Sequence, residues 1–281
     1  MRIVLHGQQA FGQTVLERLL ERGEDVVAVC CAPTKEGKPE DPLVELAREK
    51  GLPVHQPASW KTPEALELMK TFNADFCMMA YVLLFVPQEV RDAPTYGTFQ
   101  YHPSLCPEHR GPSSINWPIA MGKTRTGLSI FWPNDGLDEG PMMLQKTCEI
   151  GPDETLGDVY FKKLFPMGVD AMIEGLDLVK AGVIIKHDQR VEDGSYESWF
   201  GKASAEIDWS KPATNVYNMI RAANPAPGAW TTIAGSELKI YDIARADGTG
   251  TAGEVVLVDE DGVTVQAEGG RILIKRLRPA D

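Results

Sequence analysis

A chain of 281 residues, 43% hydrophobic and 24% charged, has the composition of a globular protein and exceeds the usual size of one compact core, which predicts one large and one small domain. It holds no run of about 18 apolar residues, which excludes a membrane-spanning helix, and no membrane partner is expected. The formal net charge of -12 repels phosphate backbones, and the short run Lys275, Arg276, Arg278 is a solvated strand edge, not a concentrated basic patch.

The opening MRIVLHGQQAFG lacks an apolar secretory core and a small-residue cleavage site, and reads as a first strand that stays in place. Residues 2–6 and 25–31 are short β-branched runs, and between them Val15, Leu16, Leu19 and Leu20 recur at helical spacing, which predicts a β-α-β unit. The pattern continues with a helix in PLVELAREKG closed by Gly51, a strand in LPVHQP, a helix in PEALELMKTF and a buried strand in DFCMMAYV. Alternating strands and helices predict a doubly wound, mostly parallel α/β sheet whose ligands bind beyond the carboxyl ends of its strands. A later helix, TLGDVYFKKLFPMGVDAMIEGLDLVKAG, is interrupted at Pro166 and stops at Gly182.

The boundaries that follow are a catalytic domain over 1–186, a polar, aperiodic linker over 187–204 and a second domain over 205–281. The second domain reads as a helix in ATNVYNMIRAA followed by five short strands (TTIAG, LKIYDIA, GEVVLVD, GVTVQA, RILIKRL), which predict a small β-barrel.

Gly7 and Gly12 flank the first turn, but no G-x-G-x-x-G is present and Gln13 and Thr14 stand where a P-loop needs Lys and Ser or Thr, so a tight turn is expected there instead of a nucleotide cradle. The segment from Gln100 to Gly111 is richer. It crowds Gln100, His102, Ser104 and Arg110 into a loop rigidified by proline, just past a strand ending Thr98-Phe99. A second polar turn, Asn134 to Gly140, follows the strand LSIFWP and carries Asp138. If both loops leave carboxyl ends of parallel strands, the carboxylate of one can reach the imidazole of the other. Such a pair fixes the tautomer of the histidine and supplies a proton acceptor, the equipment of acyl-type transfer.

His109 is expected to be structural, and Cys106, followed by Pro107, a lining residue and not a nucleophile. The five cysteines are odd in number and lack C-x-x-C spacing, and no H-E-x-x-H occurs, so reduced thiols in a cytoplasmic protein and no metal are the expectation.

The segments YHPSLCPEHRG, SINW, SIFWPNDGLDEG and LQK together resemble the folate-dependent formyltransferase family, most closely the amino-terminal hydrolase domain of 10-formyltetrahydrofolate dehydrogenases and more distantly methionyl-tRNA and sugar N-formyltransferases. The likeness runs from GQQAFGQ through the IDW and PGAW segments. It implies a formyltransferase Rossmann-like domain followed by an OB-like barrel, with His102 and Asp138 as the catalytic pair. It further implies that Leu84, Phe85 and Val86 form the backbone loop that grips the pterin, with Ser104 and Gly140 beside the folate, and that 10-formyltetrahydrofolate is the formyl donor. Amine-specific members carry asparagine two residues before the histidine and dehydrogenase-type members an apolar residue. This chain has Gln100, an amide one methylene longer.

The resemblance implies hydrolysis of 10-formyltetrahydrofolate to formate and tetrahydrofolate. The alternatives are formyl transfer to an amine, whether methionyl-tRNA, amino sugar or peptide, and a non-catalytic folate-binding module. Against tRNA stand the acidic total and the short, mixed-charge stretch between Cys31 and Leu52, where the tRNA enzyme has a longer basic insertion. The carrier and aldehyde-dehydrogenase domains of the full dehydrogenase have no counterpart in these 281 residues, so oxidation of the formyl group is not expected of them. Oligomeric state is not legible.

Overall fold

The first strand, β1 (Arg2–Gly7), is buried on both sides, and its alternating side chains enter two different cores. Ile3 and Leu5 join one apolar layer and Val4 the other, which is the covering that a doubly wound sheet requires. A computed structural model describes residues 1–233 and 235–279. By their contacts they form two units, the first made of Met1–Arg110, Gly127–Lys146 and Phe165–Ser195, the second of Gly111–Thr126, Thr147–Leu164 and Tyr196–Asp281.

In chain order the elements are β1, α1 (Gln9–Glu21), β2 (Asp25–Cys30), α2 (Pro42–Glu49), β3 (Val54–His55), α3 (Pro63–Thr71), β4 (Phe76–Ala80), α4 (Gln88–Arg91), β5 (Thr98–His102), α5 (Asn116–Ala120), β6 (Arg125–Phe131), β7 (Met142–Glu149), α6 (Leu156–Val159), α7 (Phe165–Lys180) and α8 (Ala213–Ala222), then strands β8 (Ala229–Ile233), β9 (Ser236–Ala246), β10 (Val255–Asp259), β11 (Gly262–Ala267) and β12 (Gly270–Pro279). A π-helical turn, Tyr160–Leu164, directly precedes α7, so the break expected at Pro166 falls on the turn before a residue that has no N–H to donate.

The larger sheet has the order β3-β2-β1-β4-β5-β6-β7, with parallel pairing from β3 through to β5. One core holds Phe11, Val15, Leu16 and Leu19 of α1 together with Val169, Met172 and Leu176 of α7, and burying each such side chain contributes about 1.5–3 kcal/mol. The other holds Ala65 and Met69 of α3 and Val90 of α4.

The first turn is tight, as expected. A Cβ on Gly7 would lie 2.5 Å from the Ala80 carbonyl oxygen. The start of α1 is occupied by the protein's own carboxylate, since Asp41 accepts from the Gln9 N–H at 2.8 Å while capping α2 through the Leu43 N–H at 3.0 Å.

In the second unit, β10-β11-β12-β9-β8 form an antiparallel five-stranded sheet against which α8 lies. The five short strands read from the sequence are these five; Ala234 of TTIAG, with Ala280 and Asp281, lies outside the described residues. Among the described residues no helix is long and apolar enough to cross a membrane.

Candidate active site

Strand β5 sets the direction of its side chains by alternation. Phe99 and Tyr101 turn into the first core, which leaves Thr98, Gln100 and His102 on the opposite face. Beyond His102 the chain folds onto itself. Ser104 is fully buried and its hydroxyl donates to the Glu108 carbonyl at 2.8 Å, so its polar capacity is spent inside the loop. Ser129 of β6 donates to the Ser104 carbonyl at 2.7 Å and accepts from the Cys106 N–H at 3.1 Å. Gln145, the glutamine of the LQK segment, donates to the Cys106 carbonyl at 2.6 Å.

The polar turn reaches the histidine by a different route from the one expected. Strand β6 is antiparallel to β5, with Gln100 opposite Phe131 and His102 opposite Ser129, so its carboxyl end lies beside the amino half of β5. This corrects the premise that both loops leave carboxyl ends of parallel strands. A parallel neighbour needs a long crossover, usually helical, and residues 103–124 supply only the five-residue α5. The turn instead doubles back. Trp132 N–H donates to the Pro141 carbonyl at 2.8 Å and closes its neck, and Gly140 is wedged there, because a Cβ on it would lie 1.8 Å from the Trp132 carbonyl oxygen.

Asp138 adopts φ 56°, a left-handed conformation that costs a non-glycine residue roughly 1–2 kcal/mol. Its Oδ2 lies 3.6 Å from Nδ1 of His102, and both side chains are at least nine-tenths buried. That is charge-pair distance and longer than a hydrogen bond. On the other side of the ring, Nε2 meets the His109 carbonyl oxygen at 3.2 Å. A carbonyl only accepts, so Nε2 carries a hydrogen and Nδ1 is the nitrogen turned toward Asp138. His109 thus meets the His102 ring through its backbone carbonyl.

Two arginines brace the arrangement. Arg110 pairs with Glu139, the residue after Asp138. Arg91 is buried at the end of α4 and donates to the Val86 carbonyl at 2.7 Å and to Asp135 at 2.7 Å, linking the 81–87 loop to the polar turn. In that loop Val86 faces the second core with Leu84 packed beside it, whereas Phe85 is 48% exposed and lies under the Lys61 ammonium at 4.8 Å.

Burial pushes the Cys106 thiol up to about 11, which removes the thiolate that a nucleophile needs. All five cysteines are free, and among the described residues no three His, Cys, Asp or Glu side chains converge as a metal site.

The sequence matches the family Formyl transferase over residues 1–175 and Formyl transferase, C-terminal domain over residues 200–281. The chain belongs to the formyl transferase family. It is 35% identical to the mitochondrial 10-formyltetrahydrofolate dehydrogenase of Mus musculus, over 98% of this chain and 31% of that protein, so it spans about a third of the length of such relatives. It is 34% identical to the methionyl-tRNA formyltransferase of Geotalea uraniireducens (strain Rf4), over 99% of this chain and 90% of that one. In fold it is similar to WlaRD, a sugar 3N-formyl transferase (TM-score 0.76, 16% identity, 100% of this chain and 98% of that one), and to HypX from Aquifex aeolicus in complex with tetrahydrofolic acid (TM-score 0.71, 19% identity, 100% and 44%).

The structure brings His102 and Asp138 together, with Gly140 two residues beyond Asp138 and Gln100 on the His102 face of β5. Arg91, Glu139, Gln189 and Ser195 escape sequence reasoning. Gln189 donates to the carbonyls of Asp138 and Gly140 at 3.0 and 2.7 Å, and Ser195 accepts from the His109 N–H at 2.9 Å. Both lie in the polar segment read as linker, where no periodicity marks them.

Proposed function

We propose that this formyl transferase hydrolyses 10-formyltetrahydrofolate to tetrahydrofolate and formate, with His102 and Asp138 at the reacting centre. The observation that carries the reading is the buried pair itself, Nδ1 of His102 at 3.6 Å from Asp138, in a chain of this family. A pure folate-binding module would need a pocket but no acid-base pair.

In this reading Asp138 accepts a proton from water as the water oxygen attacks the formyl carbon. In this scheme His102 reacts in its imidazolium form, and its Nδ1–H, helped by the Gln100 amide, is offered to the oxyanion that develops. When the carbon–N10 bond breaks, the electron pair stays on N10, which takes the proton from Nδ1. Asp138 returns its proton to His102, and the second proton of the water leaves with the formic acid, which ionises. The backbone of Leu84, Phe85 and Val86 would hold the pterin, while Ser104 and Gly140 keep the two loops in place.

The five free thiols fit a reducing compartment, and we place the reaction in the cytoplasm. The net charge of -12 disfavours tRNA as acceptor, although a methionyl-tRNA formyltransferase is among the relatives.

The test is to mix the protein with 10-formyltetrahydrofolate and no acceptor and follow formate and tetrahydrofolate. Steady release is expected, reduced about a hundredfold or more in His102→Ala and Asp138→Ala. Binding without release would overturn hydrolysis and direct the search to an amine acceptor.

A further inference from the structure

Gln189 spends its whole hydrogen-bonding capacity as a donor on one turn. Its Nε2 reaches the carbonyls of Asp138 at 3.0 Å and Gly140 at 2.7 Å, while its Oε1 is buried without a partner. The two carbonyls belong to the residues on either side of Glu139, so the amide grips the backbone of the turn directly after Asp138, which stands at a positive φ of 56°. The segment carrying Gln189 is itself tied down. His187 exchanges two backbone hydrogen bonds with Met142, at 2.7 and 3.0 Å. At its far end Ser195 donates from its N–H to the Pro107 carbonyl at 3.1 Å, accepts from the His109 N–H on its hydroxyl at 2.9 Å, and accepts from the Arg110 N–H on its carbonyl at 3.1 Å. One strap, Gln189 to Ser195, therefore touches both halves of the site: the turn that carries Asp138, and the loop whose His109 carbonyl holds Nε2 of His102.

We propose that Gln189 is a positioning residue that sets the distance between the Asp138 carboxylate and His102 through the backbone of the turn. The inference rests on Asp138 acting in formyl release. Gln189 does not touch the reacting atoms in this scheme. Its effect passes entirely through Asp138, which makes a double-variant cycle the discriminating measurement.

Gln189→Met keeps the length of the side chain and removes both donors. It should lower kcat for release of formate from 10-formyltetrahydrofolate by about tenfold to a hundredfold, as expected for a misplaced group, with KM within about threefold. In an Asp138→Asn background, measured by single turnover with enzyme in excess, the same substitution should change nothing further. A crystal structure of Gln189→Met should show the His102 to Asp138 separation lengthened. A kcat left intact, or an equal loss in the Asp138→Asn background, overturns the proposal. If Gln189→Met melts below the assay temperature, Gln189→Asn, which keeps donors too short to span both carbonyls, is read in the same cycle. If the parent protein releases no formate, the hydrolytic reading fails, and the crystal structure alone decides: an unmoved Asp138 overturns the positioning role.

Discussion

Arg91 and Asp135 form an ion pair of 2.7 Å between unequal partners, the arginine side chain being 5% exposed and the aspartate 67%. The exposed end is screened, and a pair of that kind contributes about 0–1 kcal/mol. The second bond of the guanidinium, to the Val86 carbonyl, is buried, and a buried acceptor left unpaired costs about 1–3 kcal/mol. Asp135→Asn is therefore expected to change unfolding free energy in urea by less than about 1 kcal/mol and Arg91→Met by more. Because Val86 ends the loop proposed to hold the pterin, Arg91→Met should also weaken binding of 10-formyltetrahydrofolate. Equal losses in the two variants would show that the ion pair, and not the Val86 contact, anchors the loop.

The fold was largely legible because its elements announce themselves by periodicity. Val15, Leu16 and Leu19 mark the buried face of α1, and the uninterrupted apolar run of β4 marks a strand covered on both faces. Direction carries no such mark. The buried run of β6 is equally compatible with either orientation, and only the lack of a crossover helix between His102 and Arg125 speaks for antiparallel pairing. The site divides in the same way. His102 and Asp138 stand out because their functional groups are the ones proposed to do the chemistry, and loops crowded with such groups are visible in sequence. Arg91, Gln189 and Ser195 bond mainly to backbone carbonyls and N–H groups, which every residue possesses. Their partners have no sequence signature, and a polar segment such as 187–195 looks the same whether it is a strap or a linker.

His6 makes stability depend on pH. It is 2% exposed, its Nδ1 has no partner, its ring lies 4.9 Å from that of Trp60, and burial lowers its pKa from 6.5 to about 3. In the unfolded chain the imidazole takes a proton near pH 6.5; in the folded protein it stays neutral until about pH 3. Between these values the unfolded state binds more protons, so stability falls as the pH is lowered, by at most about 1.4 kcal/mol per pH unit. His55, also lowered by burial, adds the same sign. Urea denaturation at pH 7.5 and 5.0 should show the parent losing more stability on acidification than His6→Leu. Parallel losses would mean that His6 titrates alike in both states.

Two glycines of the polar turn should respond differently to a single methyl group. At Gly140 the new Cβ would stand 1.8 Å from the Trp132 carbonyl oxygen and 3.1 Å from the Asn134 nitrogen, both backbone atoms pinned by the closed neck of the turn. Neither can retreat without opening the Trp132 to Pro141 bond and pulling the Gly140 carbonyl from Gln189. At Gly136 the nearest atoms the same methyl would meet belong to the Glu139 side chain, whose carboxylate at 2.3 Å can swing toward solvent while its Cβ stays at 3.1 Å. Gly140→Ala is therefore expected to cost about 1–3 kcal/mol, the usual range for overpacking, and to carry Asp138 away from His102. Gly136→Ala should cost less than about 1 kcal/mol and loosen only the Arg110 to Glu139 pair. Melting curves and formate release measured side by side separate the two. If Gly140→Ala releases formate at the parental rate, the neck of the turn does not determine where Asp138 stands, and its placement must be carried by the strap alone.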